Sequence, residues 1–215
     1  MAKLISEHHA KLDFADIERR VPIQRPARPL TRAAGAHQSD VMHYIARKVG
    51  WLRADERDES EFPLIWGLGV AWEEFVVSLY PSMDWQPGEL TTDGISVNCD
   101  GISLVESSRV LRDLYPAGTP LIEECKFTFK GEITGEDFIN DVKHRLWQHQ
   151  VREYCWQYGP RISRHHVCHV RGDYKAWGPT YKRYIVEWTD AECRQTHELL
   201  LRFKDEAMRE LGIAA

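Results

Sequence analysis

The stretch "PLIEECKFTFKG", residues 120–131, has the composition of a strand from the middle of a sheet, yet it carries two adjacent glutamates and a lysine. Alternation along a strand puts Ile122, Glu124 and Lys126 on one face and Leu121, Glu123, Cys125 and Phe127 on the other. Charges on a largely buried strand are paired or bound to a metal. Glu124 and Lys126 therefore mark a place where the strand holds something.

Upstream, "ISVNCDGISLV" (95–105) reads as a neighbouring strand with a lone central acid, Asp100. Two carboxylates on adjacent strands suit one divalent ion with oxygen ligands, and the main-chain carbonyl of Cys125 would add a third oxygen. A lysine beside them can position or deprotonate a water, or stabilise charge developing on a phosphate. The acid-x-lysine spacing alone is a weak signal, because it also occurs at Asp141-Val-Lys143 and Asp173-Tyr-Lys175. The second lies in a predicted helix, where a two-residue spacing splits the side chains, and the third follows Gly172 at the end of a predicted strand. Taken alone, the first triplet reads equally as a buried Glu–Lys ion pair with Asp100 as a turn residue.

Helical spacing of Ile65, Leu68, Trp72, Phe75, Val76 and Leu79 predicts a core-facing helix that ends near Pro81. A short helix is expected at 38–50, within an otherwise irregular segment 1–60. Thr134 reads as the cap of a helix running to about Tyr158, where Gly159 and Pro160 stop it. "RHHVCHVRGDYK" and "KRYIVEWT" read as two further strands, and 190–211 as a final amphipathic helix. The order predicts an α/β fold with a mixed sheet covered by helices.

The 215 residues are 43% hydrophobic, which suits one compact domain with some peripheral material. No apolar run approaches the ~20 residues needed to span a bilayer. The N-terminus is charged where a signal peptide is apolar, so a cytoplasmic protein with no membrane partner is expected. Cysteines 99, 125, 155, 168 and 193 form no C-x-x-C pair, which argues against zinc and disulfide frameworks. The formal net charge of −5 does not announce a nucleic-acid binder, but its distribution is uneven. Residues 18–53 gather Arg19, Arg20, Arg25, Arg28, Arg32, Arg47, Lys48 and Arg53, and a second basic stretch holds Lys143, Arg145, Arg152, Arg161 and Arg164. Each such run also reads as a solvated face.

Asp…Glu-x-Lys on two neighbouring strands resembles the PD-(D/E)XK nuclease superfamily. Two further stretches resemble its RecB-like branch, which includes phage-type exonucleases. "GLGVAWEEF" is similar to a helical G-x-x-x-E motif at Gly69 and Glu73, and "QVREY" to a Q-x-x-x-Y motif at Gln150 and Tyr154. The motifs stand in family order over residues 65–190, although each is short. Gly69 and Glu73 share a helix face, as do Gln150 and Tyr154. Separately, these pairs also read as helix-surface residues and a half-buried core tyrosine.

The resemblance implies a restriction-endonuclease-like core over 61–215, a mixed central sheet flanked by helices, behind a basic arm at 1–60. It implies that Asp100 and Glu124 hold Mg²⁺ or Mn²⁺, with Glu73 and the Cys125 carbonyl as further ligands. Lys126 would assist the attacking water, and Gln150 and Tyr154 would orient the scissile phosphate. Glu74 and Glu123 are the ligands instead if the register is displaced by one. No iron–sulfur cluster is expected, since the cysteine pattern of the branch's cluster-bearing members is missing. The implied partner is DNA, bound through its phosphates without regard to sequence. A homo-oligomer and a recombination or replication protein are compatible further partners, and host cytoplasm is the expected location of a phage-encoded chain. Exonuclease action is the branch-level expectation. An inert nuclease-fold DNA-binding component and a structure-specific endonuclease are the rivals.

Overall fold

The computed structural model describes residues 1–11, 36–51, 63–129, 134–140, 144–170 and 179–212. The strands are β1 (Lys3–Lys11), β2 (Ala36–His37), β3 (Asp84–Trp85), β4 (Leu90–Thr92), β5 (Ile95–Val97), β6 (Gly101–Leu104), β7 (Pro120–Thr128), β8 (Ile162–His169) and β9 (Thr180–Glu187). The α-helices are α1 (Gln38–Lys48), α2 (Pro63–Leu79), α3 (Arg109–Arg112), α4 (Gly135–Asn140), α5 (Arg145–Tyr158) and α6 (Asp190–Glu210).

Six strands form the central sheet in the order β1-β9-β8-β7-β6-β3, and β2-β5-β4 form a smaller one. Among the described strands of the large sheet only β7 and β8 run parallel, so the sheet is mixed. A parallel pair needs a crossover, and α4 and α5 supply it between β7 and β8. This is the mixed sheet flanked by helices that the sequence predicts.

The period-two reading of β7 holds. Ile122 packs in a cluster with Val151 and Tyr154 of α5, whereas Cys125 packs with Trp72, Phe75 and Val76 of α2. The sheet is thus clamped between α5 on one face and α2 on the other. The indole N–H of Trp72 donates to the His166 carbonyl at 2.9 Å and ties α2 to β8. Capping is as the sequence implies. The Thr134 hydroxyl accepts from the Asp137 N–H at 3.2 Å, and Gly159, at φ +96°, closes α5. Thr189 and Glu192 form a reciprocal cap at the start of α6.

Three expectations change. The expected short helix is present as α1, but the rest of 1–60 is not irregular throughout: Lys3–Lys11 is the edge strand β1, paired antiparallel with β9, and Ala36–His37 is β2. The helix expected at 134–158 is two helices, and the Gln148 side-chain amide meets the Phe138 carbonyl at 2.5 Å, sewing the end of α4 to α5. The strand expected at 95–105 bends at Asn98–Asp100, so β5 joins the small sheet and β6 the large one. Gly101 makes the bend's exit possible, because a Cβ there would lie 2.8 Å from the Met83 sulfur. The triplets Asp141-Val-Lys143 and Asp173-Tyr-Lys175 lie outside the described residues.

Candidate active site

The bend between β5 and β6 aims Asp100 at β7. Its Oδ2 accepts the Cys125 N–H at 2.7 Å. Gly101 pairs with Glu123 across β6 and β7, so Asp100 stands one step on, opposite Glu124. The Lys126 ammonium donates to Glu124 Oε1, and to Gln150 Oε1 at 2.9 Å. Gln150 Nε2 in turn donates to the Tyr154 hydroxyl at 2.6 Å. One turn of α5 separates Gln150 from Tyr154, which is why the chain from Lys126 can pass along a single helix face.

Glu73 reaches the same place from α2. Burial first, and then the charges of Asp100 and Glu124, push its carboxyl up to about 9. Glu124 is pushed up to about 8 by burial and by Asp100, with Lys126 opposing. Asp100 is also raised by burial, against the pull of Lys126 and the Cys125 N–H. Burial would lower Lys126, but Glu124, Asp100 and Glu73 outweigh it and leave its ammonium favoured. Three carboxylates from three parts of the chain therefore share one half-buried cation. Such crowding of like charges is costly and is relieved by protons or by a cation.

The structure brings together Glu73, Asp100, Glu124, Lys126, Gln150 and Tyr154. Glu124 is 1% exposed, and its Oε2 is buried without a hydrogen-bond partner among the described residues. That orphaned oxygen and the all-oxygen donor set fit a hard divalent cation. In the geometry as it stands, no three His, Cys, Asp or Glu side chains among the described residues form a ready metal cage. The Lys126 ammonium meets Glu124 instead. Beside Glu73, a Cβ built on Gly69 would meet no atom within 4 Å, so that flank of the helix is open.

Glu123 is elsewhere. It is buried on the opposite face, where its carboxylate accepts from Arg164 Nε at 2.9 Å and lies 2.9 Å from His166 Nε2. Burial pushes it up, but Arg164 and His166 prevail and bring it down to about 2. Arg164 also lies over the Tyr80 ring at 4.4 Å, and His166 meets the Tyr181 hydroxyl at 2.7 Å. A one-residue change of register would exchange these two environments, and each glutamate is partnered where it is. Sequence reasoning missed this network; its signal was "RHH" inside a strand, which puts Arg164 and His166 on one buried face where the guanidinium requires a carboxylate.

The basic residues divide. Arg19, Arg20, Arg25, Arg28, Arg32, Arg53 and Lys143 lie outside the described residues. Lys48 pairs with Glu206 at 2.5 Å, and Arg161 with Asp190 at 2.5 Å. Arg164 is buried and thus no surface cation. Arg152 lies over the Trp188 ring and 3.8 Å from Glu192, while Arg145 lies over Trp51, itself stacked on His149 at 5.1 Å. Among the described residues no helix is long and apolar enough to cross a membrane.

No family model and no curated protein matches the chain. Among solved structures it is similar to LHK-Exo in complex with dAMP, at 14% identity and a TM-score of 0.45, over 83% of this chain and 90% of that one. It is similar also to a phage-related exonuclease from Haemophilus somnus 129PT, at 13% identity and a TM-score of 0.44, over 95% of this chain and 96% of that one. Likeness at this level assigns no residue and no activity.

Proposed function

We propose that the protein is a metal-dependent DNA nuclease that hydrolyses phosphodiester bonds. The observation that supports this reading is the meeting of Glu73, Asp100, Glu124 and Lys126 on a mixed sheet, with the charges of three carboxylates set against one ammonium. Glu73, Asp100, Glu124 and the Cys125 carbonyl would hold Mg²⁺ or Mn²⁺. Bound there, the metal would polarise a phosphate oxygen and make a bound water a better nucleophile. Lys126 enters as a cation, suited to stabilising charge on the phosphate, while Gln150 holds its ammonium and Tyr154 holds Gln150. Arginines of the arm and Arg145 would contact backbone phosphates, which makes binding sequence-independent and salt-sensitive.

The specific form proposed is an exonuclease acting on DNA ends in recombination, repair or phage DNA processing. A homo-oligomer and a recombination or replication partner protein would fit that role. A second reading, a nuclease-fold protein that binds DNA without cutting it, is favoured by one observation: Glu124 is already paired with Lys126 and no ready cage is formed among the described residues.

Linear and closed-circular DNA incubated with Mg²⁺ or Mn²⁺, with and without chelator, distinguish the readings. Chelator-sensitive loss of linear DNA alone identifies an exonuclease, loss of both an endonuclease, and binding without cutting the inert form.

A further inference from the structure

Gln38 is 0% exposed and sits at the first turn of α1, more than a hundred residues upstream of the helix it touches. Its side-chain amide donates to the Gln150 main-chain carbonyl at 2.8 Å and reaches the His149 carbonyl at 3.4 Å. A carbonyl has two lone pairs, so the bond from Gln38 is compatible with the helix's own ladder. The same short segment is tied to the other half of the candidate site. Immediately before Gln38, β2 pairs parallel with β5, Ala36 with Ile95 and His37 with Ser96, and β5 leads into Asp100.

We propose that Gln38 is a positioning residue for cleavage, fixing the turn of α5 that carries Gln150 so that Gln150 keeps the Lys126 ammonium aimed. This rests on the nuclease reading above. The physical reason is leverage. Gln150 grips Lys126 through one side-chain oxygen at 2.9 Å and Tyr154 through its amide at 2.6 Å. A shift of the turn beneath it would move both ends of that chain, and misplacing a reacting group by about 1 Å costs up to a hundredfold in rate. Among the described residues no hydrogen bond joins Gln38 to Lys126 or to a carboxylate, so it acts on the site through Gln150. Its other polar atom, Oε1, is buried without a partner among the described residues. An apolar side chain of similar length would avoid that unmade bond, and the amide retained here is the group that holds α5.

The test is a double-mutant cycle of Gln38→Met and Gln150→Ala, read by DNA cleavage with Mn²⁺ and by hydrogen exchange of the Gln150 side-chain amide. Gln38→Met should lower kcat about tenfold, leave KM for DNA unchanged, and have no further effect once Gln150 is alanine. The Gln150 amide protons should exchange at least tenfold faster in the Gln38→Met protein. If that variant is unfolded by circular dichroism, Gln38→Leu, which also lacks a donor, takes its place with the same expectations. Equal losses of kcat in both backgrounds, or unchanged Gln150 exchange with a parent that cuts DNA, overturn the role. A parent that cuts no DNA overturns the nuclease reading and this role with it.

Discussion

Glu123 and Glu124 are neighbours in the chain and face opposite sides of the central sheet, Glu123 against Arg164 and Glu124 against Lys126. One peptide unit thus separates a carboxylate that is held ionised from one that burial and Asp100 hold towards the neutral form. The difference is one of surroundings. Arg164 and His166 both favour the charged form of Glu123, whereas Glu124 meets one ammonium and two rival acids.

Exchanging each glutamate for glutamine should therefore separate stability from activity. Glu124→Gln removes a charged oxygen donor but keeps the shape, so metal-dependent cleavage should vanish while the fold persists. Glu123→Gln leaves the Arg164 guanidinium buried without its counter-charge, a change that costs about 3–5 kcal/mol. Its unfolding midpoint in urea should fall while the surviving folded protein still cleaves. Loss of cleavage in Glu123→Gln with Glu124→Gln active would mean that the roles are reversed.

Acid should act through Glu123. An ordinary glutamate titrates near 4.3, and Glu123 is brought down to about 2 in the folded chain. Between those values the unfolded chain binds the proton first, so stability present above about pH 4 is lost as pH falls towards 2. Urea midpoints measured from pH 5 to pH 2 should drop steeply in the parent. The drop should be shallower in Glu123→Gln, which has no such proton to take up.

Divalent metal should act in the other pH window. Glu124 and Glu73 are pushed up to about 8 and about 9, so between about 4.5 and 9 the folded chain holds more protons than the unfolded chain. Without metal, these two groups make stability fall as pH rises through that range. A divalent ion competes with the same protons, so its affinity should strengthen as pH rises towards 9. At a hundredfold excess over Kd it adds about 2.7 kcal/mol. A Tm increase with Mn²⁺ that is no larger at pH 9 than at pH 6 would contradict binding at these carboxylates.

Lys126→Ala probes the partner of those acids. A lysine is not a metal ligand, so calorimetry should find divalent binding retained, and strengthened once the repelling ammonium has gone. Cleavage should be lost or fall at least a hundredfold. Metal binding lost together with cleavage would instead make the Glu124–Lys126 bridge a structural pair.

How far the molecule was legible in its sequence follows from how local each signal is. The faces of β7 follow from alternation within nine residues, and α2 and α6 from helical spacing, so both survive in the structure. The meeting of Asp100 with Glu124, and of Lys126 with Gln150, could be proposed because each residue sits in a short motif. What failed to show depends on distant partners. "KLISEHHAK" is polar and becomes strand β1 only by pairing with β9, a case of tertiary context overriding local preference. The bend at Asn98–Asp100 lies between two runs of strand-forming residues, Ile95–Val97 and Ile102–Leu104, and the close approach of Met83 to Gly101 exists only in three dimensions. Gln38 touches carbonyls 111 and 112 positions away and carries no local mark at all.

The basic arm gives the remaining prediction, and the fold narrows it. Removing residues 18–53 whole would take away β2 and α1, whose Val41, Met42 and Ile45 pack with Leu200 and Ala207 of α6. A loss of DNA binding by that deletion would then report a damaged fold. Replacing Arg19, Arg20, Arg25, Arg28 and Arg32 by glutamine leaves 36–48 untouched and removes five formal charges. Lys48 is left in place, because its ammonium is already committed to Glu206. For every duplex phosphate that an arginine no longer neutralises, the salt slope of log K becomes shallower by about 0.9, because fewer counterions are released on binding. Binding measured between about 50 and 200 mM salt should therefore weaken and become less salt-dependent, while Tm stays as in the parent. An unchanged slope at unchanged Tm would mean that these arginines touch no phosphate, and the affinity for DNA would have to come from α5 and the site itself.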